Sequence, residues 1–251
     1  MDPEHKWVVL DNDYQKLKRW SENGCRTVWI YRTSNLPPVA LPGHDLEINR
    51  IEQLNEVRDL DQSPTIAQCF DWLEEWDLPE NIRRHITTVA WSAYTLACLL
   101  ANKGEKVNPI LTHRGGLLHD LDKIQTLREV NRHGKMGAEF LESQGYPAIA
   151  EIVRGHILHT ILDPHSDDRS WEIKVVYFCD KLTEGNTIVT LDKRFAALGK
   201  RYPVYMEKMG RAKTHVYSLN DQICSILSIP DNEHLVSFLN GTKSDVQKEL
   251  P

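Results

Sequence analysis

Four residues of this chain have the side chains that a divalent-metal centre needs: His85, the adjacent pair His119 and Asp120, and the distant Asp180. Imidazole nitrogen and carboxylate oxygen together suit a transition ion or magnesium, and three or four protein ligands leave positions for water and a substrate. That is the composition of a hydrolytic site. A His-Asp dipeptide alone carries little information, and the chain has a second one, His44-Asp45, in a Pro/Gly-rich connector with no helix to aim it. That pair is read as structural. His119 and Asp120 differ because a histidine on an earlier helix and an aspartate on a later one could converge on them. Each residue has an ordinary alternative, since a lone histidine on an apolar helix face is more often a hydrogen-bonded core residue than a ligand. Asp180 is harder to place that way, because a buried carboxylate needs a cation or several donors.

The elements that would position these residues are mostly helical. Ser63 and Pro64 read as cap and first-turn proline of a helix through Trp76. A long helix is expected from Glu80 to Lys103 with Gly104 at its end; Ile82, Ile86, Val89, Ala93, Leu96 and Leu100 form its apolar stripe, with His85 on or beside it. Asn108 and Pro109 open the next helix, which carries Leu111, Leu117 and Leu118 inward and brings His119 and Asp120 to its C-terminal end. Further helices are expected at about 134–144, 147–158 and 170–182, the last with Ile173, Val176 and Tyr177 on the face of Asp180. Two more cover roughly 191–199 and 204–228, and a short one lies at 232–239 before a frayed tail. Residues 1–57 read differently, as strand, helix, strand followed by the connector Leu36 to Gly43 and a short helical pattern around Ile51. The expected fold class is mainly α: a helical bundle over residues 63–230, a small α/β appendage over 1–57, and a short helix with a frayed tail over 231–251.

Bulk properties narrow the partners. Thirty basic against 36 acidic residues, a net charge of −6, argue against a duplex nucleic acid partner. The five cysteines are scattered, odd in number and never in a CxxC arrangement, which indicates neither a disulfide framework nor a thiolate zinc site and suits a reducing cytoplasm. The start, MDPEHKW, lacks a signal-peptide pattern, and the longest uncharged run falls short of the ~20 residues that span a bilayer, so no membrane partner is expected.

The chain resembles the HD superfamily of metal-dependent phosphohydrolases, whose pattern is His, then His-Asp, then a distant Asp on successive helices. The resemblance rests on RRHITTVAWSAY around His85, GGLLHDLDKI around His119, HGKMGAEFLESQGYPAIAEIVRGHI from His133 to Ile157, and VVYFCDKL around Asp180. These strings look most like the small bacterial HDIG-type proteins, with Leu121 and Asp122 in place of the Ile and Gly of that name, and the likeness covers about Asn81 to Phe195. It implies that His85, His119, Asp120 and Asp180 bind one divalent ion and that Asp120 bridges to a second ion held by His133 and His156. His159, three residues on along the same expected helix, is an alternative or additional ligand, whereas His113 and His165 are read as surface or loop residues. Manganese, iron, cobalt, nickel, zinc and magnesium are all compatible with such ligands.

The implied reaction is hydrolysis of a nucleotide or another small phosphate ester by water that the ion acidifies toward a pKa of ~7 and that attacks phosphorus in line. Lys123, one turn after Asp120, is a candidate to hold a non-bridging oxygen. Asp122 is a candidate proton relay, and Arg84, Lys181 and Arg194 are weaker phosphate-contact candidates, since exposed helix charges are the ordinary explanation for them. The string DPEHKWVVLDNDYQKLKRWSENGCRTVWI resembles the late part of a haloacid-dehalogenase-like hydrolase; with too little chain for that family's other motifs, it is read as non-catalytic. Two parallel strands are too few to stand alone, so the fragment is expected to pack on the helical domain or to pair across a homodimer. A rival reading of the whole is a nucleotide-sensing or scaffold protein that binds without turnover.

Overall fold

The computed structural model describes residues 8–11, 16, 19, 20, 25–30, 46–48, 63–127 and 132–249, with side chains for 16, 19, 20, 25, 63–127 and 132–242. Three short strands, β1 (Val8–Asp11), β2 (Arg26–Ile30) and β3 (Leu46–Ile48), pair in parallel in that order, Val9 opposite Thr27 and Val28 opposite Leu46. Lys16, Arg19 and Trp20 between the first two are helical, as the parallel connection requires. The third strand corrects the expectation of two: its three residues, LEI, are too short to show a period of their own. His44, Asp45, the connector from Leu36 and the pattern around Ile51 lie outside the described residues.

From residue 63 on the chain is helical, with nine α-helices among the described residues. The first, α1 (Ile66–Glu75), buries Ile66, Cys69, Trp72 and Leu73 at three- and four-residue spacing. Its cap is Thr65, whose Oγ1 accepts the Gln68 amide at 3.0 Å, and not Ser63 as the sequence suggested. The spine of the bundle is α2 (Glu80–Asn102), stopped where Gly104 takes φ +93°. α3 (Pro109–Leu118) starts at Asn108, whose Oδ1 accepts the amides of Ile110 and Leu111. It is buried all round, including Thr112, His113 and Arg114, and lies so close to α2 that a Cβ on Gly116 would stand 2.6 Å from the Ala90 Cα.

α4 (Lys135–Ser143) and α5 (Pro147–Gly155) follow; α5 ends three residues earlier than expected, and Leu158–Leu162 form a separate 3-10 turn. α6 (Trp171–Lys181) leads into a hairpin of β4 (Thr183–Glu184) and β5 (Thr187–Ile188), turned at Gly185 (φ +59°) and Asn186. α7 (Leu191–Arg201) and α8 (Met206–Leu227) close the bundle with α9 (Asn232–Glu249). The last helix runs ten residues beyond its expected end. Polar composition argued for fraying there, but Leu235, Val236, Leu239 and Thr242 are buried at helical spacing and dock it.

Two apolar clusters make the core. One joins α1, the start of α2, α3, α4 and α5 through Leu73, Ile86, Leu117, Leu141 and Ile149; the other joins the rest of α2 to α6, α7, α8 and α9 through Leu96, Val176, Phe195, Val216 and Leu239. They meet along α2, where Ile86 and Ala90 face one and Val89 and Ala93 the other. His85 sits at that seam. No helix among the described residues is long and apolar enough to cross a membrane.

Candidate metal centre

His119 and His156 reach the site by the same local device. Each is the residue that ends its helix, α3 and α5 respectively, and each Nδ1 donates back to the carbonyl three residues earlier: Gly116 O at 2.8 Å for His119, Val153 O at 2.6 Å for His156. A helix end leaves such carbonyls without intrahelical donors, so the imidazole satisfies one of them and turns its Nε2 outward from the helix end. The other two histidines are fixed in the same sense by other acceptors. His85 Nδ1 donates to Gly185 O in the hairpin at 2.9 Å, and His133 Nδ1 to Asp122 Oδ1 at 2.7 Å. With Nδ1 engaged in all four, the Nε2 lone pairs are the ones left to bind.

These nitrogens converge with two carboxylates. His85 Nε2 is 3.1 Å and His119 Nε2 3.9 Å from Asp180 Oδ1; His133 Nε2 is 3.1 Å and His156 Nε2 3.4 Å from Asp120 Oδ1. Asp120 Oδ2 lies 3.7 Å from His119 Nε2, so its two oxygens face the two halves of the site. The result is two groups of three potential ligands, His85, His119 and Asp180, and Asp120, His133 and His156, each with its donor atoms within 4.8 Å of one another. The rings run in a chain, with centroids 5.5 Å apart for His85 and His119, then 5.0 Å for His119 and His156 and 5.0 Å for His156 and His133.

Burial and charge set the protonation states. Desolvation pulls the His119 pKa down to about 3 and lowers that of His156, which keeps both neutral and able to ligate. Burial also acts to lower His85 and His133, but hydrogen bonds to Asp180 for the first and to Asp120 and Asp122 for the second outweigh it and raise both. Asp120 and Asp180 are held well below the usual carboxylate range despite burial, Asp120 chiefly by the charge of Lys123 and Asp180 chiefly by that of Lys181. One atom is out of balance: the Nε2 of His119, in a side chain with no exposure, has no hydrogen-bond partner among the described residues.

The sequence candidates sort into three sets. His85, His119, Asp120, His133, His156 and Asp180 are brought together, and Lys123 joins them with its Nζ 3.3 Å from Asp120 Oδ1. Asp122, read from sequence as a proton relay, is fully buried behind His133, and its carboxylate accepts His133 Nδ1 and the amides of Gly134 and Gly137. It is placed to orient an imidazole. Lys181 is buried beneath the site, bonded to Asp180 Oδ2 and His156 O, and Arg194 is bonded to Glu184 with Nη2 3.6 Å from Asp180 Oδ1. Arg84 stays in solvent, paired with Glu80.

His159 is exposed on the 3-10 turn, off the helix that was to carry it, because α5 stops at Gly155. His165 is exposed, but His113 is buried, with Nδ1 2.7 Å from Arg114 Nη1 and its ring edge-on to Tyr94; a helix buried on every side has no surface position to offer it. Sequence reasoning missed the positioning groups: the carbonyls of Gly116, Val153 and Gly185, and Glu184. The repeated signal was available in Gly116-Leu-Leu-His119 and Val153-Arg-Gly-His156, histidines three residues past a carbonyl at a helix end.

Comparison with known proteins agrees with this geometry. The family model for the HD domain matches residues 83–185, a span that opens beside His85 and ends at Gly185. The chain is 31% identical over 163 residues to the uncharacterized protein MJ0778 of Methanocaldococcus jannaschii, an alignment covering 59% of this chain and 90% of that protein. No solved structure matches it. The six converging side chains all fall inside residues 83–185, the stretch of this chain that is similar to the HD domain.

Proposed function

We propose that this protein is a divalent-metal-dependent phosphohydrolase that cleaves a nucleotide or another small phosphate ester with water. The observation that carries the reading is the Nε2 of His119, without a hydrogen-bond partner among the described residues and buried beside His85 Nε2 and Asp180 Oδ1. A buried polar atom with no partner costs about 1–3 kcal/mol, a cost that an ion in this group of three ligands removes. His85, His119 and Asp180 would hold that ion, Asp120 would face it through Oδ2, and His133 and His156 would serve a second through Asp120 Oδ1. A mixed imidazole and carboxylate set fits such ions, and the match of residues 83–185 to the HD domain supports the same chemistry. A bound divalent ion acidifies water toward a pKa of ~7 and polarises a phosphoryl oxygen.

The chain's own groups do the rest. The side chains of His85, His133 and Lys123 are 13%, 15% and 35% exposed against none for His119, so substrate approaches along that edge. Lys123 is the cation that would hold a non-bridging oxygen there. Lys181 and Arg194 act on Asp180, keeping it ionised, and Asp122 keeps His133 in its ligating tautomer. The N-terminal fragment is assigned an assembly role in this reading.

The test is elemental analysis of purified protein together with a hydrolysis screen of phosphomonoesters, nucleotides and dinucleotides with manganese, magnesium, cobalt or iron. Metal retained by the wild type, lost in His119→Ala and tied to release of phosphate or nucleotide supports the proposal. Absence of both metal and turnover under every ion overturns it, and partner binding without turnover favours a sensor or scaffold.

A further inference from the structure

The two groups of ligands differ in what already occupies them. In the first, His119 Nε2 has no hydrogen-bond partner among the described residues. In the second every donor atom is engaged: His133 Nε2 is 3.1 Å from Asp120 Oδ1 and 3.3 Å from His156 Nε2, and His156 Nε2 is 3.4 Å from Asp120 Oδ1. Among these atoms stands an ammonium. Lys123 Nζ is 3.3 Å from Asp120 Oδ1 and 3.3 Å from His133 Nε2, within reach of two of the three atoms that a second ion would need.

An ion held by imidazole and carboxylate sits about 2.0–2.2 Å from its ligands, close to where that ammonium is. A divalent ion and an ammonium sharing one carboxylate oxygen repel each other strongly in a site with little water. Lys123 has a way out: its stem is unbranched and its side chain is 35% exposed, whereas the ligands around it are nearly buried. Its position is also local in origin, because it follows Asp120 by three residues in a turn closed by the Lys123 amide on Asp120 O at 3.0 Å.

We propose that Lys123 is the resident cation of the second group, so that the folded chain holds one divalent ion at His85, His119 and Asp180 and admits a second only when Lys123 swings away. This rests on the metal reading above and adds to it a stoichiometry and a competitor. In the one-ion state the lysine supplies the positive charge that a second ion would otherwise bring to the phosphate.

The experiment is titration of metal-free protein with manganese(II) alone, followed by equilibrium dialysis with elemental analysis and by electron paramagnetic resonance for coupled ion pairs. Wild type is expected to take one ion tightly and a second at least tenfold more weakly. Lys123→Gln is expected to bind the second at least tenfold more tightly than wild type, with a coupled-pair signal at concentrations where wild type shows isolated ions. Lys123→Arg, which keeps the charge, should stay close to wild type. Circular dichroism confirms that the variants fold. Equal or weaker second-ion binding in Lys123→Gln overturns the proposal while leaving the first ion, and the phosphohydrolase reading, in place. No binding by wild type, with His119→Ala indistinguishable from it, overturns both.

Discussion

Gly116 and Ala90 bring two helices together backbone to backbone: a Cβ on Gly116 would lie 2.6 Å from the Ala90 Cα and 3.0 Å from its nitrogen. The contact is one turn before His119 on α3 and little more than one turn after His85 on α2, so it sets the separation at which these two imidazoles face each other. Gly116→Ala gains about 1 kcal/mol of helix propensity, but the neighbour is backbone and cannot rotate aside, and overpacking of this kind costs up to about 3 kcal/mol or more. A net loss of about 2 kcal/mol, a fall in Tm of roughly 4–8 °C for a chain this size, is expected together with weaker metal retention. Gly210→Ala on α8 is the control, since nothing among the described residues lies within 4 Å of its added methyl and propensity alone should stabilise by about 0.5–1 kcal/mol. Thermal unfolding of the two variants with and without metal checks both signs.

The pH dependence of the metal-free protein should peak near the ordinary histidine pKa. His119 and His156 have lowered pKa values, so below about 6.5 the unfolded chain binds protons that the folded chain refuses; their contribution is complete above that pH and declines as pH falls, for His119 down to about 3. His85 and His133 have raised values, so their contribution is complete below about 6.5 and is lost as pH rises through their folded pKa. Denaturant midpoints in chelator should therefore fall on both sides of about pH 6.5. With metal the alkaline limb should reverse, because ligation needs all the imidazoles neutral. A chelated protein equally stable at pH 5, 6.5 and 8 would contradict these assignments.

How much of this was legible in the sequence depended on whether a residue's role is carried by its own chain segment. The long α2 was legible from the stripe Ile82 to Leu100, and the start of α3 from Asn108-Pro109, because caps and helical periods are local signals. Of the six converging side chains, His85, His119, Asp120 and Asp180 were legible as a pattern of types along the chain, whereas His133 and His156 entered only through the family resemblance. The hairpin at Thr183 to Ile188 was not: strands of two residues have no period, and the two groups it supplies to the site, Gly185 O and Glu184, gain their roles from His85 and Arg194 on other elements. The burial of His113 and Arg114 was hidden for a related reason. α3 has no polar face, and a helix enclosed by neighbours on all sides shows no amphipathic stripe.

Asp122→Asn tests the orienting role of that carboxylate. Three donors point at Asp122, from His133 Nδ1, Gly134 N and Gly137 N, and an amide can meet them only by presenting an NH2 to at least one or by giving a bond up. A loss of about 1–3 kcal/mol is expected. The sharper readout is the ring itself: in the metal-free variant His133 should lose its fixed tautomer and its pKa should fall from its raised value, because the hydrogen bond to the Asp122 carboxylate is part of what raises it. Long-range proton–nitrogen correlation spectra of the imidazoles report both. An unchanged His133 alongside reduced turnover would restore Asp122 to the role of a proton relay.

Lys181→Met separates support of Asp180 from contact with substrate. The Lys181 ammonium is buried, donating to Asp180 Oδ2 at 2.5 Å and to His156 O at 2.9 Å. Removing it leaves a buried carboxylate short of one cation, and breaking such a pair costs about 3–5 kcal/mol. The same change leaves the site more negative, so a divalent ion should stabilise the variant more than it stabilises the wild type, by binding a native state that now lacks its internal counter-charge. The expected pattern is a lower Tm in chelator and a larger rise on adding manganese, with Asp180→Asn in the same chain recovering part of the chelator loss and abolishing the rise. A lysine that instead touched the phosphate would show a raised KM with ordinary metal-free stability, and that result would return Lys181 to the substrate contacts.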